Sequence, residues 1–267
     1  MQVKEKTVVL VTGGSSGIGL AAVRELIKKG ATVYEVSRRD TQIEGATHLQ
    51  GDVTNEQRMK EIVEQIVSAE GKLDVLLCSA GFGISGAVEF TELQDAKRQF
   101  DVNFFGVVNS VKAALPVMRK QGKGRVVIVS SVAAAIAIPF QTYYSASKAA
   151  LNAYACALRN EVRPYGVTVT AVMPGDIATG FTDAREKSPA GDEQYGGRIA
   201  RSVSRMEKDE RNGMKASVAG KYLARVCLKR RVSPTSSIGF TYKLLVWLAR
   251  VLPQRLVSKI VYGMYAK

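Results

Sequence analysis

The run Thr12-Gly13-Gly14-Ser15-Ser16-Gly17-Ile18-Gly19 constrains this chain more than any other stretch. Before it lies Thr7–Val11, an unbroken apolar run that reads as a buried strand. After it Gly17–Lys29 reads as a helix, with Ile18, Ala21, Ala22 and Leu26 on one face and Gly30 as its stop. A glycine turn between strand and helix lets a ligand approach the backbone closely. The helix start adds free N–H groups and the positive end of its dipole. These are the needs of a pyrophosphate. Gly13 permits the turn, Gly17 admits the phosphates, and Gly19 lets the helix pack on the sheet. Ser15, Ser16 and Ile18 complete the cradle.

Downstream, short apolar runs alternate with helical stretches, which is the pattern of a parallel sheet covered by helices. Strands are expected at Thr32–Val36, Thr47–Gln50, Val75–Cys78, Arg125–Val129 and Val167–Val172, with a weak one near Thr235–Ile238. Helices are expected at Asn55–Ser68, within Asp101–Arg119, at Ser145–Arg163 and at Met214–Lys229. The expected architecture is a Rossmann-type, doubly wound α/β fold of about seven parallel strands with helices on both faces. Residues 1–267 read as one catalytic domain. Residues 179–212 are polar and read as a mobile substrate cover, and 239–267 as a basic amphipathic extension.

Composition removes several classes. Cys78, Cys156 and Cys227 are too few and too scattered for a disulfide framework or a metal cluster, and read as core or near-core thiols. His48, the single histidine, excludes chemistry built on paired histidines, and no metal is expected. The polar opening from Met1 to Lys6 lacks a signal-peptide pattern, and no apolar run is long enough to span a bilayer, so the expected location is cytoplasmic. Residues 1–197 carry 22 Lys/Arg against 21 Asp/Glu, whereas residues 198–267 carry 16 against 3. The basic character therefore belongs to the C-terminal quarter. No nucleic-acid module accompanies it, and no nucleic-acid partner is expected.

Tyr144-Ser145-Ala146-Ser147-Lys148 places a phenol and an ammonium four residues apart, on one helix face. A phenol has a pKa of about 10, and a neighbouring cation lowers it by about 1–3 units, into the range of a usable acid/base. Tyr143 is out of register with the lysine. Thirteen residues before Tyr144, at the end of a strand, stands Ser130-Ser131. Successive strand residues point oppositely, so one of the two serines faces a site at the strand end.

With Asp101-Val102-Asn103-Phe104-Phe105-Gly106 and Pro174-Gly175-Asp176-Ile177-Ala178-Thr179, these motifs resemble the short-chain dehydrogenase/reductase family in order and spacing. The glycine run is similar to its TGxxxGxG fingerprint and the Tyr144–Lys148 pair to its YxxxK. The resemblance runs from about Thr7 to Thr179. It implies a hydride passed between a nicotinamide cofactor and a carbonyl carbon, with Tyr144 as acid/base, Lys148 tuning it and holding the nicotinamide ribose, and Ser131 holding the substrate oxygen. Asn103 would position a proton-relay water near the lysine. Pro174, Gly175, Ile177 and Thr179 would hold the nicotinamide carboxamide and nearby phosphate.

The same resemblance assigns Asp52 and Val53 to adenine capping, and Ala80 and Gly81 to room for the adenosine ribose. Cys78 and Ser79 stand where the family usually has two asparagines, so the bracing hydrogen bonds there are in question. Ser37 and Arg38, after the second strand, match positions that grip a 2′-phosphate, while Glu35 points to the other face. The expected cofactor is NADP(H) in preference to NAD(H).

Ala133, Phe140, Gln141 and Met173 are the expected pocket positions, and their apolar balance favours a lipophilic ketone or secondary alcohol of steroid, retinoid or sphingoid type. Reduction of a 3-oxoacyl thioester, or an idle NADP-binding sensor, are the alternatives. A homo-oligomer is expected. In the C-terminal extension, Leu244, Leu245, Leu248 and Leu252, then Leu256, Val257, Ile260, Val261 and Met264, recur at helical spacing on either side of Pro253. Either these stripes close the core or an oligomer interface, or they touch a membrane peripherally.

Overall fold

A computed structural model of the chain describes residues 6–267. Met1–Glu5, most of the polar opening, lie outside the described residues. The sheet has seven strands: β1 Val8–Thr12, β2 Thr32–Ser37, β3 Ala46–Gln50, β4 Val75–Cys78, β5 Gly124–Val129, β6 Val167–Met173 and β7 Thr235–Ser237. Their spatial order is β7-β6-β5-β4-β1-β2-β3, and every neighbouring pair runs parallel. Strand order reverses between β1 and β4. In open α/β sheets that reversal opens a crevice at the carboxyl ends of the strands.

Both faces of the sheet are covered, so its central strands are apolar throughout rather than alternating. β1 and β4 are buried at every position. Helices α1 (Gly17–Lys28) and α7 (Ala216–Leu228) lie against one another over one face, where Val9, Val11, Val33, Leu77 and Val127 meet Leu26, Val23 and Leu223. Helices α2 (Glu56–Glu70), α4 (Gly106–Gln121) and α5 (Thr142–Val162) cover the other, where Leu10, Leu76 and Ile128 meet Ile62, Val111 and Leu151. Alternate residues of each strand feed the two layers. Asn55 caps α2 by accepting from the Arg58 amide at 2.9 Å, and Gly71 ends it in the left-handed region.

Several local expectations are corrected. The regular helix expected within Asp101–Arg119 starts at Gly106. Before it come helix α3 (Leu93–Phe100) and one π turn over Asp101–Phe105. An extra residue in one turn leaves the apolar periodicity nearly intact, so the pattern does not reveal it. The polar stretch 179–212 holds a helix, α6 (Arg198–Arg211), anchored by buried Ile199 and Met206. Its charged majority hides that narrow apolar stripe. Cys78 and Cys227 are buried, but Cys156 is exposed.

The chain ends in α8 (Phe240–Val251) and α9 (Gln254–Tyr265), separated at Pro253. Each has a single buried residue, Val246 and Val261. Leu244, Leu245, Leu256, Ile260 and Met264, expected on a packed stripe under one of the two readings, are exposed.

Candidate active site

The crevice at the strand ends is a cavity of about 950 Å³. One end is the glycine loop. Gly13 adopts φ +69°, and its amide donates to the Val36 carbonyl at 2.8 Å. A Cβ there would lie 2.6 Å from the Ala80 Cα, so only glycine lets the loop rest on the end of β4. A Cβ on Gly19 would lie 2.2 Å from the Gly13 carbonyl oxygen, so α1 can meet the loop only without one. Ser15, Ser16, Gly17 and Ile18 line the same wall.

Ser16 is the N-cap of α1, yet its side chain makes no capping bond, and the first turn of α1 contains no acid. The helix start is therefore left without a protein anion or side-chain acceptor, as a bound pyrophosphate requires. The residues present fit a dinucleotide.

At the rim stand Ser37 and Arg38. The Ser37 hydroxyl donates to the Arg39 carbonyl at 3.1 Å, and the Arg38 carbonyl accepts from Gln50 Nε2 at 2.9 Å. The exposed Arg38 guanidinium has no protein partner among the described residues. Glu35 is fully buried on the opposite face, where its Oε2 lies 2.6 Å from His48 Nδ1. It is also held behind the loop, since a Cβ on Gly14 would strike its Cγ. The acid of β2 is thus unavailable to a ribose hydroxyl, and the basic rim is what a ligand meets.

Asp52 and Val53 line the cavity from the end of β3. The Asp52 carboxylate accepts from the Thr54 amide and hydroxyl at 2.9 and 2.8 Å, a local turn that fixes the segment. Ala80 and Gly81 form the floor beside Ser79, whose buried hydroxyl has no partner among the described residues. The two asparagines usual in the family are replaced here by a thiol and an unpaired hydroxyl.

Tyr144, Lys148 and Ser131 lie on the wall of this cavity, nearer α5. Ser131 sits just beyond β5 and its hydroxyl accepts from the Ala133 amide at 3.1 Å. Ser130 is turned away: its hydroxyl donates to the Lys148 carbonyl at 3.0 Å and is buried. Both serines border the cavity, and the Ser131 hydroxyl is the one beside the Tyr144 phenol. Lys148 Nζ donates to the Val129 carbonyl at 3.0 Å and stands 5.7 Å from the centre of the Tyr144 ring.

Burial pushes the Tyr144 phenol up to about 12, with the neighbouring Ser131 hydroxyl pulling in the opposite direction. Burial draws Lys148 itself down to about 8. A desolvated ammonium beside a desolvated phenol favours the uncharged form of each.

Asn103 is buried behind the wall rather than on it. The π turn aims it inward: its Oδ1 accepts from the Phe82 amide at 2.9 Å, and its Nδ2 donates to the Phe82 carbonyl at 3.0 Å and to Ser147 Oγ at 3.2 Å. A Cβ on Gly81 would lie 3.0 Å from Asn103 Oδ1 and 3.5 Å from Lys148 Nζ, so these groups converge on one point.

Pro174, Gly175, Ile177 and Thr179 form the far wall. The Pro174 carbonyl accepts from the Val132 amide at 2.9 Å, which ties this turn to the Ser131 segment. Ala133 and Gln141 border the cavity as expected, whereas Phe140 and Met173 do not. Phe140, at φ +59°, turns its ring into a cluster with Ile199 and Tyr195, and Met173 is buried under Asn152.

Phe181, tilted against Tyr144 at 5.9 Å between ring centres, and Met206 of α6, both within the stretch 179–212 read as a substrate cover, line the cavity, and Tyr265 of α9 in the C-terminal extension joins them. Asp176 also faces the cavity and accepts from the Tyr242 hydroxyl of α8 at 2.8 Å. These contacts join residues from 37 positions apart (Phe181 to Tyr144) upward, so no local pattern shows which side chains reach the site.

The short chain dehydrogenase family model matches residues 7–190. A 3-ketodihydrosphingosine reductase of Bacteroides thetaiotaomicron is 39% identical over 235 residues, 87% of each chain. Among solved structures, a short-chain dehydrogenase from Streptomyces avermitilis superposes with a TM-score of 0.80 at 25% identity, covering 97% of both chains. A variant of ElxO with NADPH bound superposes at 0.74 and 26% identity, covering 89% of this chain and 98% of its own. This chain belongs to the short-chain dehydrogenase/reductase family. It is an oxidoreductase of the class that interconverts CH–OH and C=O with a nicotinamide cofactor.

Proposed function

We propose that the chain reduces a lipophilic ketone to a secondary alcohol with NADPH, and that the ketone is of the long-chain sphingoid-base class. The observation that carries this reading is one continuous cavity. It has the glycine cradle and Arg38 at one end, and Tyr144, Ser131 and Lys148 beside the apolar side chains of Phe181, Ile138 and Met206 at the other. The sphingoid class is favoured over steroid and retinoid ketones by the likeness to the Bacteroides reductase.

Bound NADPH supplies the hydride. Tyr144, kept protonated by burial, holds the proton for the substrate oxygen. Ser131 orients that oxygen, and Lys148 supplies positive charge beside the phenol. A phenol protonated across the physiological range suits reduction better than oxidation, which needs it as a base. Initial rates of NADPH oxidation with long-chain 3-keto sphingoid, steroid, retinoid and 3-oxoacyl-thioester carbonyls test the reading. The sphingoid ketone should be turned over with the highest kcat/KM. A preference for the thioester would replace the substrate class while leaving the chemistry.

The titrations give a pH profile. Because Lys148 is drawn down to about 8, raising the pH removes its proton early, while Tyr144 stays protonated to about 12. The expected result is that kcat/KM for NADPH, which reports the free enzyme, is level below the lysine pKa and falls above it. A rate that instead rises through pH 8 would mean that the neutral amine is the working form.

A further inference from the structure

The inner sides of the last two helices have partners. α8 rests on β7 and α9 on α6, the Tyr242 hydroxyl reaches Asp176, and the Tyr265 hydroxyl donates to Asp209 Oδ2 at 3.3 Å. The outer sides are apolar as well. On α8, Phe240, Leu244, Trp247 and Val251 recur at helical spacing and face water, Phe240 82% and Trp247 57% exposed. On α9, Leu256, Ile260 and Met264 do the same. Apolar side chains concentrated in this way mark an interaction surface.

Charge decides what covers it. Residues 239–267 carry Lys243, Arg250, Arg255, Lys259 and Lys267, and not one Asp or Glu. A second copy laid symmetrically on this surface would set cations against cations. An anionic bilayer offers hydrocarbon to the aromatic and aliphatic side chains and negative headgroups to the lysines and arginines. The same helices border the reaction cavity, since Tyr265 of α9 lines it and the ring of Tyr242 covers Gly175.

We propose that α8 and α9 dock the protein on an anionic membrane surface, with the cavity mouth held beside the lipid. Docking is a property of the surface itself; only its use, to take a lipophilic ketone out of the bilayer, rests on the reductase reading. The docked face carries the sole tryptophan of the chain, Trp247, which makes docking directly visible.

The test is to titrate the full-length protein with vesicles of phosphatidylglycerol and phosphatidylcholine in equal parts, and with phosphatidylcholine alone. Tryptophan emission and flotation are followed, and analytical ultracentrifugation without lipid reports self-association. The anionic vesicles should shift the emission to the blue and carry the protein upward, and salt should weaken both effects. Phe240→Glu and Leu244→Glu, both at exposed positions, should each lower partitioning by roughly tenfold or more. NADPH-dependent turnover of a short, water-soluble ketone should be unchanged in these variants.

Unchanged emission with the protein left in the dense fraction would overturn the proposal. So would a dimer that Phe240→Glu dissociates in the absence of lipid, since a second copy would then own the surface. Docking without turnover of any ketone by the wild type would count against the reductase reading and leave the membrane surface standing.

Discussion

Tyr144→Phe is expected to lower kcat for ketone reduction by about 10²–10⁴, the worth of one well-placed proton donor, and to leave NADPH affinity nearly unchanged. The substitution removes the hydroxyl and little else. The ring keeps its tilted contact with Phe181 and its place beneath Lys148 Nζ, so the wall of the cavity retains its shape. Ser131 keeps its bond from the Ala133 amide and stays oriented. The check is steady-state kinetics beside a fluorescence titration of NADPH and a melting curve. Wild-type-like turnover in a folded, NADPH-binding variant would remove Tyr144 from the chemistry.

Arg38→Asp should reverse the cofactor preference. Charge-assisted hydrogen bonds contribute about 1.5–3 kcal/mol each, so kcat/KM with NADPH should fall by roughly ten- to a hundredfold. NADH should be used as well as before or better, because an aspartate there repels a 2′-phosphate and accepts from a 2′-hydroxyl. The fold should not notice the change. Arg38 is exposed, its guanidinium has no protein partner among the described residues, and the bond it receives from Gln50 goes to a backbone carbonyl that any residue supplies. Glu35 cannot take over the role, being fully buried beside His48 on the other face. Paired kinetics with the two cofactors decide the matter, and an unchanged ratio would show that Arg38 does not read the ribose.

What could be read in the sequence was local. The glycine loop is legible because Gly13, Gly17 and Gly19 recur within one short turn between a strand and a helix, and Tyr144 and Lys148 because a helix turn brings them together. The strands stand out because burial on both faces makes them continuously apolar. The rest depends on elements distant in the chain. Nothing in Asp101–Phe105 itself reveals a π turn, although the turn is what aims Asn103 at Phe82 and Ser147.

Phe140 looked like a pocket residue by position, but its left-handed backbone and the cluster around Tyr195 draw its ring elsewhere. The spacing of Tyr144 and Lys148 is local, whereas the burial that leads the shift of each is set by the whole fold. The C-terminal leucines show a helical period without showing which side of the helix meets protein, because α8 and α9 are apolar on both.

In the proposed reaction this cavity delivers a hydride to a ketone carbon with Tyr144 as the proton source. It is tested most directly with NADPH deuterated at the transferable position and a long-chain 3-keto sphingoid base, the product being analysed by mass spectrometry and NMR. One deuterium is expected on the carbinol carbon of a single alcohol epimer, formed in step with NADPH loss by the wild type and nearly absent with Tyr144→Phe. Product without deuterium, or equal yields from the two proteins, would contradict it.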